Sequence, residues 1–234
     1  MVTPHLHIIM PVKDSVNRAE EAIRAVLAAG QTLTVYNDYS TLENTQRLAE
    51  LADTLPFTLV NISDLTAHPS PNYLLVLQRA QQQALAEQAH LVIVESDVVV
   101  RPDTFRLLAE QVVPGVGMVA AVTEDEQGDI NYPYDYARRW SRGVYVTKKR
   151  FSFCCTLITN EFLHAYDFMQ LDPNKNWYDV FITHQSSALG LENRLMTNTP
   201  VLHRPHSSRP WKLLKYKNPL LYYWRKLTQH KDRI

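Results

Sequence analysis

Cysteine is scarce in this sequence, and its placement argues against a disulfide framework. The chain has two cysteines in 234 residues, Cys154 and Cys155, and they are adjacent. Neighbouring cysteines seldom bond to each other, because disulfide geometry does not suit consecutive residues. A protein without disulfides fits a reducing compartment. We therefore expect a cytoplasmic protein.

Long apolar runs and glycine-rich loops are also missing. No apolar run approaches the roughly 20 residues that a membrane-spanning helix needs, and residues 1–4 show no leader-like pattern before the first predicted strand. The six glycines form no G-x-G-x-x-G motif at the start of a helix, which argues against a dinucleotide-dependent oxidoreductase. Residues 11–18 lack the glycine-rich, basic loop that is usual in nucleotidyltransferases making sugar nucleotides.

Charge is balanced overall but unevenly distributed. The sequence has 24 basic and 24 acidic side chains. From His203 to the end there are nine basic residues and one acid, so residues 1–202 carry fifteen basic and twenty-three acidic ones. The basic segment predicts an anionic partner, with a solvated terminal helix as the alternative. The acidic remainder of the chain argues against nucleic-acid binding.

Strand-like and helix-like segments alternate four times in the first hundred residues. The strand-like stretches are residues 7–12, 33–36, 57–62 and 91–94. Apolar residues at helical spacing lie between them. This alternation predicts an α/β fold with a mainly parallel sheet flanked by helices. We predict one such domain over residues 1–206, followed by a basic, aromatic C-terminal extension over residues 207–234.

Polar clusters follow three of these strands, at residues 12–15, 37–41 and 95–97. In parallel sheets, ligands bind at the carboxyl ends of the strands, where these clusters lie. Glu95 and Asp97 would repel each other there unless a cation lay nearby. Mg²⁺ or Mn²⁺ meets that need, because such ions bind one or two carboxylates together with substrate phosphates. A solvated strand-to-loop corner is the alternative.

The second half of the chain is less regular. Strand-like runs occur at residues 116–122, 151–159 and 200–203, and residues 179–189 suggest a helix. A polar, tyrosine-rich stretch covers residues 123–143. Loops of this length are usually functional or mobile. We expect this one to close over a bound ligand and exclude water.

Five segments of residues 7–206, in the same order, resemble those of family-2 glycosyltransferases with the GT-A nucleotide-binding fold. Residues 9–13 resemble the first strand and loop of that family. Residues 35–45 (VYNDYSTLENT) resemble its VDDGSTDNT segment with one residue, Leu42, inserted. Glu95-Ser96-Asp97 falls on the DxD motif, and Pro102-Asp103 follows it as the family's PD does. Asp179 falls on the aspartate of the ED motif, and Gly190 and His203 follow in the expected order.

Four positions depart from the family pattern. Glu95 replaces the first aspartate of DxD, Tyr39 replaces a usual glycine, Tyr178 replaces the glutamate of ED, and Gln185 stands where arginine is frequent. The metal site should survive these changes, whereas the acceptor becomes harder to infer. Tyr178 also keeps open a non-catalytic protein that binds sugar nucleotides or acts as a scaffold.

The resemblance implies a nucleotide-sugar donor, most often a UDP-sugar. Asn37 or Asp38 would bind the base, Arg79 would lie near the base or the phosphates, and Glu95 would contact the ribose. Pro11, Val12 and Ser96 complete the predicted nucleotide site. The alternatives to nucleotide binding are a structural role in a turn for Asp38 and a solvent-exposed helix position for Arg79.

The resemblance also implies a metal cofactor, Mn²⁺ or Mg²⁺, bound by Asp97 and bridging the diphosphate. His203 would be a further ligand or a phosphate contact. His206 lies three residues on and competes for that role. A structural histidine is the alternative for His203.

Asp179 is the implied general base of an inverting hexosyl transfer. A carboxylate placed against the acceptor hydroxyl removes its proton as the new C–O bond forms. A helix N-cap ahead of residues 180–182 is the alternative, and the two roles are compatible. The acceptor, a saccharide or a lipid-linked sugar, should lie near Phe153, Cys154, Trp177 and Tyr178. We expect both cysteines to be packed thiols and not nucleophiles.

The C-terminal extension mixes basic and aromatic side chains around Pro219. Such a segment suits the anionic inner face of a membrane, and that location would fit synthesis of a surface polysaccharide or glycolipid. The extension could equally pack on the domain or on another subunit of an oligomer.

Overall fold

The first half of the chain forms four parallel strands joined by helices. The computed structural model describes residues 5–175, 177–205 and 218–228. The strands are β1 (Leu6–Val12), β2 (Thr34–Asn37), β3 (Thr58–Asn61) and β4 (His90–Val94). Three helices connect them: α1 (Val16–Ala28), α2 (Leu42–Thr54) and α3 (Tyr73–Ala86). Their order in the sheet is β3-β2-β1-β4. The strand order therefore reverses between β1 and β4, and at such a switch point a crevice opens at the carboxyl ends of the strands.

The second half completes the sheet with strands of both directions. Its elements are β5 (Val98–Val99), α4 (Thr104–Glu110), β6 (Val116–Glu124), β7 (Val144–Val146), β8 (Cys155–Ile158), α5 (Asn160–Ala165), α6 (Tyr178–Ala188) and β9 (Glu192–His203). Beyond β4 the order is β8-β6-β9-β5, and β7 also pairs with β9. β8 is antiparallel to both β4 and β6, whereas β6 and β9 are parallel. The predicted α/β fold with flanking helices is confirmed, and its sheet is mixed.

Apolar residues cover both faces of this sheet. In β1, Ile8 and Met10 join a core with α1, α2 and α4, while Ile9 joins a second core with α3, α5 and α6. The alternation follows from the two-residue period of a strand. Because both faces are buried, β1, β4 and β6 need the nearly continuous apolar runs that made them visible in the sequence.

β9 is longer than the short terminal strand that residues 200–203 predict. It has twelve residues, its pairing with β6 shifts register twice, and the larger shift lies between Met196 and Val201. Pro200 lies in that interval and has no N–H to donate, so it fits an irregular point of a strand and hides the strand's continuity in the sequence. The far end of β9 carries His203 to β5.

The tyrosine-rich stretch 123–143 is anchored to the domain and does not stand off it. The Tyr134 side chain is fully buried, and its hydroxyl lies 3.1 Å from both the N and the O of Ser152. The Tyr136 hydroxyl donates to the Arg150 carbonyl at 2.9 Å. Arg101 and Arg142 both bond to the Glu124 carboxylate at the start of the stretch. Residues 123–143, which the sequence predicts to close over a ligand, are thus packed against the rest of the domain.

Part of the predicted C-terminal extension forms a helix, α7 (Pro219–Thr228). Tyr222 is buried, while Leu220, Tyr223 and Trp224 are exposed. Residues 207–217 and 229–234 of the extension lie outside the described residues, and so does His206 of the predicted domain. Within the part of the chain that the structure describes, no helix has the length and apolar character needed to cross a membrane.

Candidate functional site

The segment after β4 is held between two other strands. Glu95 donates its N–H to the Cys154 carbonyl at 3.0 Å, and its own carbonyl accepts the N–H of Val98 at 3.1 Å. The Asp97 carbonyl accepts the N–H of Arg204, next to the end of β9, at 2.9 Å. Ser96 and Asp97 are nearly buried. The two carboxylates of the predicted metal motif therefore occupy fixed positions at the switch point of the sheet.

Asp97 and His203 are brought together as predicted. Val98 pairs with His203 in the β5–β9 ladder, and Oδ2 of Asp97 lies 3.6 Å from Nε2 of His203. The Nδ1 atom of His203 lies 3.0 Å from the Tyr132 carbonyl oxygen. A carbonyl oxygen only accepts, so Nδ1 carries a proton, and Nε2 is the nitrogen that faces the carboxylate.

The carboxylate oxygen of Asp97 and the Nε2 lone pair of His203 repel each other unless a proton or a cation lies between them. Burial alone would lower the pKa of His203, but its bond to Asp97 and the charges of Asp97 and Glu95 outweigh burial, and the pKa is raised above its usual value. A divalent cation would meet the same need, because an imidazole nitrogen and a carboxylate oxygen are both metal ligands.

The donor set fits an ion that shares its coordination with a substrate. Among the described residues, no group of three or more His, Cys, Asp or Glu side chains could hold a metal ion. Mg²⁺ and similar ions are commonly bound by one or two protein carboxylates and completed by substrate phosphates. Asp97 and His203 suit that arrangement.

Glu95 faces the buried thiol of Cys154. The Sγ atom donates to Oε2 of Glu95 at 3.2 Å. Burial and the neighbouring Asp97 charge raise the pKa of Glu95 to about 7. Burial, together with the charges of Glu95 and Asp97, raises the pKa of the Cys154 thiol well above its usual value. Cys154 therefore contributes a neutral donor to the site, since a nucleophilic cysteine needs a lowered pKa.

Asp179 lies in the first turn of α6, and its charge acts on Glu95. Its Oδ1 accepts the N–H of Val180 at 2.9 Å. Burial is the largest influence on the pKa of Glu95, Tyr73 and Arg150, raising it in the first two and lowering it in Arg150, and the charge of Asp179 raises all three. The charge of the predicted base therefore reaches Glu95 of the predicted metal motif.

A cluster of aromatic rings lies between the first turns of α3 and α6. The ring of Tyr73 lies 6.5 Å from those of Phe153 and Tyr178, centroid to centroid. Phe153 and Tyr178 are buried, and Trp177 is half-buried directly before α6. The residues predicted for the acceptor are therefore grouped beside Asp179.

The side chains of Asn37 and Asp38 form hydrogen bonds to other residues of the protein. Asn37 donates its amide to Thr45 and Asn61 at 3.0 and 2.9 Å. The Asp38 carboxylate accepts from the Ser70 hydroxyl and from the main chain and side chain of Asn72, at 2.8 to 2.9 Å.

The other predicted nucleotide residues lie at or near the same sheet edge. Pro11 and Val12 end β1, and the Val12 carbonyl accepts the N–H of Asp38 at 2.8 Å. Arg79 is exposed on α3, where burial raises the pKa of Tyr36 and the Arg79 charge partly offsets that rise.

Sequence reasoning missed two residues of the site. Tyr73 begins α3, and no described residue bonds to its buried hydroxyl. Arg150 is half-buried and lies 5.5 Å from the ring centre of Tyr132. The run Lys148-Lys149-Arg150 was a visible signal, since it directly precedes the strand-like segment that leads to Cys154.

Solved structures share this fold at low sequence identity. The structure of GalNAc-T7 with UDP, GalNAc and Mn²⁺ matches with a TM-score of 0.64 and 11% identity over 88% of this chain. Residues 1–349 of S. aureus TarS match with a TM-score of 0.64 and 14% identity over 96% of it. A mycobacterial protein matches with a TM-score of 0.56 and 15% identity over 88%. The fold is therefore that of GT-A glycosyltransferases.

The chain spans 45% of the GalNAc-T7 chain and 66% of the TarS fragment. No protein-family description matches the sequence. No curated protein matches it either.

Proposed function

We propose that the protein is a metal-dependent inverting glycosyltransferase. It moves a sugar from a nucleoside diphosphate donor, taken to be a UDP-sugar, to an acceptor hydroxyl. The observation that carries the proposal is the Asp97–His203 pair, 3.6 Å apart at the switch point of a GT-A-like sheet. The GalNAc-T7 structure of the same fold contains UDP, GalNAc and Mn²⁺, which supports a nucleotide and metal ligand.

Asp97 and His203 would hold Mn²⁺ or Mg²⁺. When bound, the ion offsets the negative charge that builds on the departing nucleoside diphosphate. Glu95, with its pKa near 7, accepts from the Cys154 thiol and faces the donor side. Asn37, Asp38, Pro11, Val12, Ser96 and Arg79 remain the proposed surroundings of the nucleotide.

Asp179 would take the proton of the acceptor hydroxyl. Proton removal by a positioned carboxylate contributes roughly 10²–10⁴-fold to such a step. One base is enough for direct displacement, which inverts the anomeric configuration, whereas hydrolases of sugars use two carboxylates. Phe153, Trp177 and Tyr178 would pack against the acceptor, which we take to belong to a surface polysaccharide or glycolipid.

The decisive experiment measures UDP-sugar binding by calorimetry, with and without Mn²⁺. We expect metal-dependent binding in the wild type, loss of that dependence in Asp97→Asn, and wild-type behaviour in Asp53→Asn, an exposed aspartate on α2. Absence of UDP-sugar binding in the wild type, with or without metal, would refute the UDP-dependent transfer.

Turnover separates the transferase from a second candidate. The second candidate is a non-catalytic protein that binds sugar nucleotides. It is favoured by Tyr178, which stands where family-2 glycosyltransferases have the glutamate of the ED motif. In a transferase, Asp179→Asn should keep donor binding and lose at least 100-fold in turnover. A wild type that binds the donor but never releases UDP would favour the binding protein.

A further inference from the structure

We infer that Arg150 binds a phosphate or carboxylate group on the acceptor, so that the substrate which receives the sugar is an anionic saccharide. The inference rests on the proposed transfer and adds the chemical class of the acceptor. Arg150 ends the run Lys148-Lys149-Arg150, between β7 and β8, on the side of the site where Asp179 lies.

Within the described part of the chain the guanidinium group of Arg150 forms no ion pair, although the charge of Asp179 acts on it. It is half-buried and lies over the Tyr132 ring, and the Tyr132 side chain supplies its hydrogen-bonding neighbour. Among the described residues, no carboxylate is in ion-pair contact with it. An arginine has five N–H donors in a planar fork that matches an anion's oxygens two at a time. Withdrawing that charge from water is unfavourable unless an anion pairs with it.

The position of Arg150 assigns that anion to the acceptor. The N–H of Phe151 donates to the Thr183 hydroxyl at 3.2 Å, and that hydroxyl donates to the Asp179 carbonyl at 2.7 Å, so Arg150 lies beside the turn of α6 that carries Asp179. In the proposed transfer Asp179 faces the acceptor hydroxyl. The diphosphate of the donor is assigned to the Asp97–His203 pair, around the end of β9. A substrate group in contact with Arg150 therefore belongs to the molecule that also faces Asp179.

The surface next to Arg150 suits sugar rings and further negative charge. Tyr136 bonds to the Arg150 carbonyl at 2.9 Å, and its ring lies 5.7 Å from that of Trp140, which lies 4.8 Å from that of Tyr145. These three rings are half-buried, and Lys148 and Lys149 are exposed beside them. Aromatic faces pack against the C–H surfaces of sugars, and the lysines attract an anionic chain.

The test compares matched acceptor probes that differ in one charge. UDP release from the best UDP-sugar is measured with p-nitrophenyl β-glucuronide against p-nitrophenyl β-glucoside, and with glucose 6-phosphate against glucose. We expect an anionic probe of at least one pair to be used at least ten-fold more efficiently by the wild type. Arg150→Ala should abolish this preference, Arg150→Lys should keep part of it, and Arg106→Ala, at an exposed arginine on α4, should keep all of it.

Donor binding identifies which substrate Arg150 serves. Calorimetry with UDP and Mn²⁺ should give the same Kd for the wild type and Arg150→Ala. If Arg150→Ala weakens UDP binding as much as it weakens the use of anionic probes, the guanidinium serves the donor diphosphate and the acceptor assignment is overturned. Equal use of the charged and neutral probes by the wild type would overturn it as well.

Failure of the proposed transfer would look different. In that case the wild type binds no UDP-sugar, and probe binding is measured by calorimetry without a donor. Binding of an anionic probe that Arg150→Ala abolishes would then preserve the anion site, while no charge-selective binding would refute it.

Discussion

The thiol of Cys154 donates to the carboxylate of Glu95 across 3.2 Å, and the charges of Asp97 and Asp179 both act on that carboxylate. The contact joins the residue after β4 to the residue before β8, so it reinforces the antiparallel pairing of those strands. Because the sulfur lies among acids in a dry environment, it stays protonated. The pair is a structural support of the acidic motif.

Both cysteines should resist alkylation in the folded protein. Burial raises the pKa of Cys155 to about 12, and burial with nearby acids raises that of Cys154 still more clearly. We expect iodoacetamide at pH 8 to label neither thiol over a period in which free cysteine reacts fully, because the thiolate is the reactive form. The same protein in denaturant should take up two labels. Fast labelling of folded protein would contradict the assignment of packed thiols.

Tyr73→Phe should not destabilise the protein. The hydroxyl of Tyr73 is buried and no described residue bonds to it, so its removal relieves an unmet desolvation cost. We expect the free energy of unfolding to stay level or rise by about 1 kcal/mol in urea denaturation. Tyr134→Phe is the matched control, because that buried hydroxyl bonds to Ser152 on both sides and its loss should cost about 1–3 kcal/mol. Equal losses in the two variants would show that Tyr73 has a partner.

Asp38→Ala should destabilise the protein and loosen the loop before α3. The carboxylate accepts three hydrogen bonds from Ser70 and Asn72 and is nearly buried. Their loss should lower the free energy of unfolding by about 3 kcal/mol, and amide hydrogen exchange should accelerate at Asn72. Asp64→Ala, at an exposed aspartate of the preceding segment, should change stability by less than about 0.5 kcal/mol.

Stability should fall in mild acid because of His90. Its Nδ1 accepts the N–H of Asn160 at 2.9 Å, which requires an unprotonated nitrogen, and burial lowers the pKa of His90. The unfolded chain, with a histidine pKa of about 6.5, then binds more protons than the folded one. The contribution is fully present above about pH 6.5 and is lost as the pH falls towards the lowered pKa.

Urea denaturation of the wild type and His90→Gln between pH 5 and 8 measures this term. The difference in stability between the two proteins should shrink as the pH falls. His5→Gln serves as the control, since His5 is exposed. A difference that stays constant with pH would argue against a neutral His90.

The first half of the fold and the acidic motif could be predicted from the sequence, because local signals specify them. Continuous apolar runs mark β1 and β4, and Glu95 and Asp97 follow a buried strand directly. Only the family resemblance could predict that Asp179 acts on Glu95 and that His203 lies beside Asp97, since these pairs are 84 and 106 positions apart in the chain.

The missed features depend on tertiary packing. β5 has only two residues and is a strand because β9 pairs with it. A segment that short shows no hydrophobic periodicity by which the sequence could predict it. Tyr73 and Arg150 look like ordinary helix and loop residues, and only their three-dimensional neighbours give them meaning. The loop 123–143 looked mobile because its polarity concealed Tyr134 and Ala137, which are fully buried. The assignments of individual ligands and of the base stay predictions.

Asn37 and Asp38 form a rigid rim beside the switch point, since their side-chain groups bond to Thr45, Asn61, Ser70 and Asn72. A side chain held in this way cannot turn to meet an incoming nucleobase without breaking those bonds. Main-chain groups beside this rim would then have to recognise the nucleobase. In the proposed transfer, the protein would therefore tolerate a change of the donor's base.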